Sequence, residues 1–327
     1  MRAVLVDDSG FDLVTDFPRP VPSDGEVLVK VLACGTCGSD LHVFEKDPNY
    51  AWVRTGFPLV MGHEIVGRRA GGDGASRGGG LVVVRPRVDA GEDGSPVRIG
   101  WDRQGGFAEY VVVPEESVLD IADGISVTSA ALAEPLAVAV AALRRSGAAD
   151  RFGPQFRAQV VGMGAVGALA ACVLAAEGCA GVEIVGTERD RSLGSFEMLE
   201  GFGLEPVLPG DASDSRDLVV NAAGSAAAVR DGVGRLGRYG VFLNIALGVG
   251  DVSLNFDALT RRDITLVNSY GSEAVDWTQT LSYINGKSFD PAGIVSHAVP
   301  LEDLSRGFSM LQAGRARKIL VDIDMEG

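Results

Sequence analysis

Cysteine is scarce in this chain, with four in 327 residues, and histidine is scarcer, with three. Four cysteines cannot staple a chain of this length into a disulfide scaffold, so a thiol or metal role is the more natural use for them. Basic residues are also short. With 29 Lys+Arg against 44 Asp+Glu the net charge is −15, which repels phosphate backbones and argues against a nucleic-acid partner. Long apolar runs are missing as well. The most apolar stretch, Ala130 to Leu143, is interrupted by Glu134 and Pro135 and is too short to span a bilayer. The opening MRAVLVDDSG carries charge by residue 7 and lacks the apolar core of a secretory signal. These absences set the expectation of a cytoplasmic protein with neither membrane nor nucleic acid as partner.

What is present reads as globular. Hydrophobic residues make up 46% and charged residues 22%, enough apolar surface to exclude wholesale disorder. At ~100–200 residues per domain the length suggests about two domains. Glycine is in excess: 44 residues are roughly double the usual ~7% share, and without a G-X-Y period they imply tight turns rather than collagen.

The first part is β-dominated. Short strands are expected at Ala3 to Val6, Val27 to Leu32, Leu81 to Val84 and Ala108 to Val113, with a Gly-rich loop at 71–80. Near residue 130 the texture changes to alternating helices and strands. Thr128 to Arg145 reads as a helix, and strands follow at Gln159 to Val161, Val182 to Val185, Asp217 to Asn221 and Gly240 to Ile245. Such alternation implies a parallel sheet with helices on both faces. An amphipathic helix, Leu301 to Leu311, and a strand, Lys318 to Ile323, complete the pattern.

Gly162-x-Gly164-x-x-Gly167 follows a strand and opens a helix expected over Ala168 to Glu177. The first glycine permits the turn, the second lets a pyrophosphate approach the backbone, and the third lets helix and strand pack closely. With Ala165 and Val166, these residues place helical N–H donors and a partial positive charge against phosphates. Glu188, 21 residues past Gly167, stands where an acidic residue would bind ribose hydroxyls and repel a 2′-phosphate. That favours NAD. Arg189 and Arg191 could pair with such a phosphate, so NADP is the alternative.

Cys37, His42, His63, Glu64 and Glu134 form a second constellation. A thiolate, an imidazole and a carboxylate suit a catalytic Zn²⁺, with three protein ligands and one open position. Taken singly, a cysteine here is a small buried hydrophobe and a histidine a satisfied loop residue. It is their joint occurrence in Gly-flanked turns that points to metal.

Ala33-Cys34-Gly35-Thr36-Cys37-Gly38-Ser39-Asp40-Leu41-His42, Gly62-His63-Glu64-Ile65-Val66-Gly67, Gly105-Gly106-Phe107-Ala108-Glu109-Tyr110 and Leu132-Ala133-Glu134-Pro135-Leu136-Ala137 resemble the zinc-dependent medium-chain dehydrogenase/reductase family of alcohol, sorbitol and threonine dehydrogenases. The resemblance extends to Asn221-Ala222-Ala223-Gly224-Ser225 and Arg317-Lys318-Ile319-Leu320, with features similar to glucose dehydrogenases around 166–191 and in the segment from Arg262-Asp263 to Asn268-Ser269. It implies an α/β protein: a β-rich, GroES-like catalytic domain over 1–138 and 272–327, and a doubly wound Rossmann coenzyme domain over 139–271.

The resemblance also implies roles. Cys37, His63 and Glu134 would be the metal ligands and Glu64 an interchangeable or supporting carboxylate. Asp40 would orient His63, and Ser39 and His42 would relay a proton. Ala246 and Leu247 would line the nicotinamide pocket, and Lys318 or Arg317 would reach cofactor phosphates unless either is a solvated cation. Phe44, Trp52 and Trp101 are candidate pocket walls or ordinary packing. Many relatives hold a second, structural zinc with four closely spaced cysteines; Arg85 to Asp102 has none, so a single catalytic zinc is expected. The implied activity is reversible hydride transfer between NAD(P) and a secondary alcohol of a polyol, cyclitol or sugar, by a homodimer or homotetramer. The rival readings are a zinc-free quinone or enoyl-type reductase, which normally lacks this ligand set, and a non-catalytic nucleotide sensor, which needs no proton relay.

Overall fold

The computed structural model describes residues 1–7, 10–50 (the Asn49 side chain aside), 56–71, 79–88, 96–153 and 155–325. The chain divides into two compact units, Met1–Glu134 with Leu281–Gly327, and Pro135–Thr280. Both limits fall inside helices, Ala133–Ser146 and Ala274–Asn285, rather than at 138/139 and 271/272 as the sequence suggests. No Gly- or Pro-rich linker marks either place.

The spine of the first unit is the ten-residue strand Glu26–Gly35, rich in β-branched and aliphatic residues and buried on both faces from Val31 onward. Its first half pairs antiparallel with Tyr110–Pro114 and its second half with Ile319–Asp322, while Glu64–Ala70 runs along the other edge. A register shift between Val31 and Ala33 interrupts its ladder with Glu64–Ala70. A smaller sheet of Gly10–Val14, Ala3–Asp7 and Leu59–Val60 lies in the same unit. Val29, Val31, Ile65, Val84, Phe107 and Phe308 belong to one core. Phe308 comes from the expected C-terminal helix, which forms as a 3₁₀ turn, Leu301–Asp303, running into Leu304–Gln312.

The second unit is a six-stranded parallel sheet. Its strands in chain order are Ala158–Val161, Val182–Val185, Glu205–Val207, Arg216–Asn221, Leu236–Asn244 and Thr265–Asn268. They lie side by side in the order third, second, first, fourth, fifth, sixth. This is the doubly wound Rossmann arrangement, whose order reverses between the first and fourth strands. The helix over Thr128 to Arg145 forms in two pieces, Val127–Ala130 and Ala133–Ser146. Among the described residues, Val127–Ser146 is the one helical run long and apolar enough to cross a membrane, and 67% of its most apolar window is buried inside the fold, as befits a core helix. Most of the Gly-rich segment 71–80 and all of Trp52 lie outside the described residues.

Candidate functional site

Cys37 follows the spine strand directly. Thr36 anchors the exit, its N–H and hydroxyl both donating to the Ile319 carbonyl at 3.1 Å. Cys37 then caps the short helix Gly38–Phe44, where its N–H donates to Asp40 Oδ2 at 3.1 Å. The sequence presents this stretch as a turn, because seven residues are too few to show helical periodicity. The other oxygen of Asp40 pairs with His63 Nδ1 at 2.9 Å, leaving Nε2 to the Cys37 thiol. Asp40 is fully buried and His63 nearly so. Burial pulls the His63 imidazole down, but the Asp40 carboxylate, with Cys37 behind it, outweighs burial and holds the ring well above the usual histidine range.

Glu64 opens the strand paired with the spine, opposite Gly35. Any side chain at 35 would overlap the Glu64 carboxylate, so glycine is required there. Lys318 immediately precedes the strand on the spine's other side, and its ammonium donates to the Thr36 carbonyl at 2.7 Å and to Glu64 Oε1. Glu64 Oε2 touches the same ammonium but is buried without a hydrogen bond. Lys318 is therefore neither a solvated cation nor free for a cofactor phosphate: it is 4% exposed and neutralises a buried carboxylate. Burial pushes the Glu64 carboxyl up, and Lys318 and then His63 work against it.

One donor atom each from Cys37, His63 and Glu64 lie within 4.8 Å of one another. Tetrahedral donors at ~2.0–2.3 Å from zinc stand about 3.3–3.8 Å apart, so small side-chain movements would close the set around an ion. A sulfur, an imidazole nitrogen and a carboxylate oxygen within that span fit zinc chemically. Glu134, in the first turn of Ala133–Ser146, stands outside that triple but close enough to interact with it. Burial raises its carboxyl to about 7, with His63 opposing and Glu64 reinforcing the rise.

Ser39 and His42 share one face of the short helix, three residues apart. His42 Nδ1 pairs with Asp47 at 2.9 Å, and its ring stacks on Tyr50 at 5.1 Å. Phe44 packs on Phe11, at 4.6 Å between ring centres. Trp101 is a buried partner of Asp40 and His63, with its Nε1 3.2 Å from Asp40 Oδ1.

In the second unit the Gly162–Gly167 turn joins the first strand to helix Ala165–Ala176, beside the point where strand order reverses. Gly162 has φ +108°, and a Cβ there would lie 2.9 Å from the Ala222 carbonyl carbon. A side chain at Gly167 would collide with the Gly162 carbonyl, whereas Gly164 faces open space. The three positions thus differ as turn, packing contact and open cradle. Ala165, Val166 and Gly167 form the first helical turn, whose N–H groups have no partner within the helix.

Glu188 is exposed, starts the helix Glu188–Ser192 and pairs with Arg191 at 3.1 Å. Arg189 is exposed beside it, and Arg191 lies over Phe196. Ala246 is held by the Asn221 carbonyl and by Asn244 Nδ2, each at 3.2 Å. Leu247 is exposed, with its carbonyl against Gly224. A polar row that sequence reasoning missed supports this loop. Asn221, Asn244 and Asn268 end three adjacent strands in register, linked Asn221 to Asn244 at 2.8 Å and Asn244 to Asn268 at 3.2 Å. Asparagine at the last position of successive strands is the signal that could have revealed it.

Residues 23–123 match the alcohol dehydrogenase GroES-like domain. The chain is 27% identical to the L-threonine 3-dehydrogenase of Bacillus subtilis (strain 168), with 98% of each chain covered. It is 24% identical to the sorbitol dehydrogenase of Halalkalibacterium halodurans, with 96% of each covered. Among solved structures, 2R,3R-butanediol dehydrogenase from Bacillus subtilis superposes with a TM-score of 0.84 at 25% identity, covering 98% of this chain and 99% of that one. The two folds and these likenesses define the class as a two-unit dehydrogenase, GroES-like and Rossmann. Over nearly its whole length the chain is similar to zinc-dependent alcohol, sorbitol and threonine dehydrogenases. It is an oxidoreductase, an alcohol dehydrogenase by type.

Proposed function

We propose that the protein is a zinc- and NAD-dependent dehydrogenase oxidising a secondary alcohol of a polyol, cyclitol or sugar, with the first unit as catalytic domain and the second as coenzyme domain. The observation that carries this reading is the convergence of Cys37, His63 and Glu64 around one point. Cys37 and His63 would hold zinc, with Glu134 or Glu64 as the carboxylate ligand. Bound there, zinc supplies Lewis acidity toward a substrate hydroxyl, and NAD supplies the hydride acceptor.

The remaining work falls to side chains of this chain. Asp40 fixes the His63 ring, Lys318 balances the charge of Glu64, and Ser39 Oγ and His42 pass the hydroxyl proton outward. Because Asp47 occupies His42 Nδ1, Nε2 is the atom that takes it. A carboxylate in place of a second thiolate makes the site harder and more polar, which suits a polyhydroxylated substrate. The sorbitol and butanediol dehydrogenases named above point the same way. Glu188 supports NAD over NADP.

The test is metal analysis of the purified protein combined with absorbance at 340 nm, using NAD⁺ or NADP⁺ and a panel of polyols, cyclitols and aldoses. The expected result is about one zinc per chain and NAD⁺ reduction with a vicinal diol. Protein that holds no zinc and oxidises none of the panel would sink the reading.

A further inference from the structure

The segment between the pair Arg87–Val88/Val97–Arg98 and Gly105 is short, and its chemistry converges on one side chain. The Arg98 carbonyl accepts from the N–H groups of Trp101, Asp102 and Arg103 at 3.2, 2.7 and 3.2 Å, and Asp102 Oδ2 accepts in return from Arg98 N at 2.9 Å. Gly100, at φ +87°, brings this turn so close to the chain before His63 that a Cβ would lie 2.7 Å from the Gly62 carbonyl oxygen. The turn is locked, and it presents the indole of Trp101 inward, 7% exposed.

The indole meets the metal centre twice. Its Nε1, which can only donate, lies 3.2 Å from Asp40 Oδ1, the oxygen that also pairs with His63 Nδ1 at 2.9 Å. Its ring stands edge-on to His63, with centres 5.1 Å apart and planes at 67°. Asp40 thus has Oδ2 fixed by Cys37 N, and Oδ1 shared by the imidazole and the indole. A fully buried carboxylate needs such donors, and each one it loses leaves it freer to rotate and less able to fix the ring it orients.

We propose that Trp101 is a positioning residue of the metal centre, holding the Asp40 carboxylate so that His63 presents Nε2 toward Cys37. The proposal rests on the reading of Cys37, His63 and Glu64 as zinc-binding. It goes beyond that reading by assigning to one indole N–H the control of ligand geometry.

The experiment compares the whole protein with two variants. Trp101→Phe keeps an aromatic ring but removes the donor. Replacing Trp101 alone with 3-benzothienylalanine keeps the outline of the side chain and exchanges N–H for sulfur. Zinc affinity is measured by competition with a fluorescent chelator, ligand geometry by the visible absorption of the Co²⁺-loaded protein, and packing by the melting temperature of the metal-free protein. The expected result is a zinc dissociation constant raised about tenfold in both variants and a shifted Co²⁺ spectrum, with the isostere's melting temperature lowered only as far as one lost hydrogen bond requires. If Trp101→Phe fails to fold, the isostere decides. Parent protein that binds zinc, with an isostere that binds it equally tightly, overturns the role of Trp101 and leaves the centre standing. A loss of affinity with an unshifted Co²⁺ spectrum reduces Trp101 to packing and overturns the proposal as well. Parent protein that takes up neither zinc nor cobalt overturns both the proposal and the metal reading beneath it.

Discussion

The ammonium of Lys318 and the carboxylate of Glu64, 254 residues apart in the chain, form a buried ion pair across the spine strand of the first unit. Breaking such a pair from one side leaves a charge in a medium that cannot solvate it. Lys318→Met should therefore destabilise the protein by about 3–5 kcal/mol, as read from urea unfolding. The double variant Glu64→Gln/Lys318→Met should recover at least about half of that loss, because no uncompensated charge remains. Equal stability of the single and double variants would contradict this account.

Two glycines of the nucleotide turn should separate folding from binding. Gly167→Ala drives a methyl into the Gly162 carbonyl, and about 1–3 kcal/mol of stability should be lost together with cofactor binding. Gly164 has φ −68° and open space where a Cβ would go, so Gly164→Ala should fold within ~0.5 kcal/mol of the parent. It should nonetheless bind NADH at least about tenfold more weakly, because the methyl stands where pyrophosphate must approach. Thermal unfolding and NADH fluorescence titration distinguish the two outcomes.

Coenzyme choice should turn on Glu188. Its carboxylate is exposed, where ribose hydroxyls could reach it, and removing it would release Arg191 from their 3.1 Å pair. Glu188→Gln should shift the ratio of kcat/KM for NADP⁺ over NAD⁺ upward by about tenfold, because repulsion of a 2′-phosphate disappears while a guanidinium becomes available. Steady-state kinetics with both coenzymes is the check; an unchanged ratio would remove Glu188 from the specificity argument.

Acid sensitivity should come partly from Glu183, a buried residue of the second strand of the parallel sheet that meets Arg216, Gln159 and Ser213. Burial raises its carboxyl, but the hydroxyl and N–H of Ser213, then Gln159 and Arg216, together bring it below the ordinary 4.5. A group whose folded-state pKa is depressed contributes stability above its unfolded pKa and loses it as pH falls through the folded value. Glu183→Gln should thus cost about 3 kcal/mol at pH 7, with the gap narrowing steadily below about pH 4.5. Urea melts at the two ends of that range test it, and a gap independent of pH would exclude the carboxylate as its cause.

Much of this was legible in the residues themselves, for local reasons. Val182–Val185 reads as a strand because its β-branched residues are bounded by Gly181 and Gly186, and the glycines of the nucleotide turn declare their backbone needs directly. The strands Glu205–Val207 and Thr265–Asn268 escaped notice because they are short outer strands of mixed polarity, one containing Pro206. At the site, Cys37, His63 and Glu64 stood out by chemical type. The destinations of Lys318 and Trp101 did not. The first is set by strand pairing across most of the chain and the second by a turn folded onto Gly62, and neither leaves a trace in nearby spacing.

That the first unit is assembled from two separate stretches has a consequence for synthesis. During translation the Rossmann unit is whole once residue 280 has left the ribosome, while the GroES-like unit still lacks the strand that flanks its spine. The proposed zinc pocket therefore waits, with Glu64 unneutralised, until Lys318 emerges. Loading of the proposed zinc centre should accordingly be a late, largely post-translational event, even though Cys37 and His63 are made before the Rossmann unit.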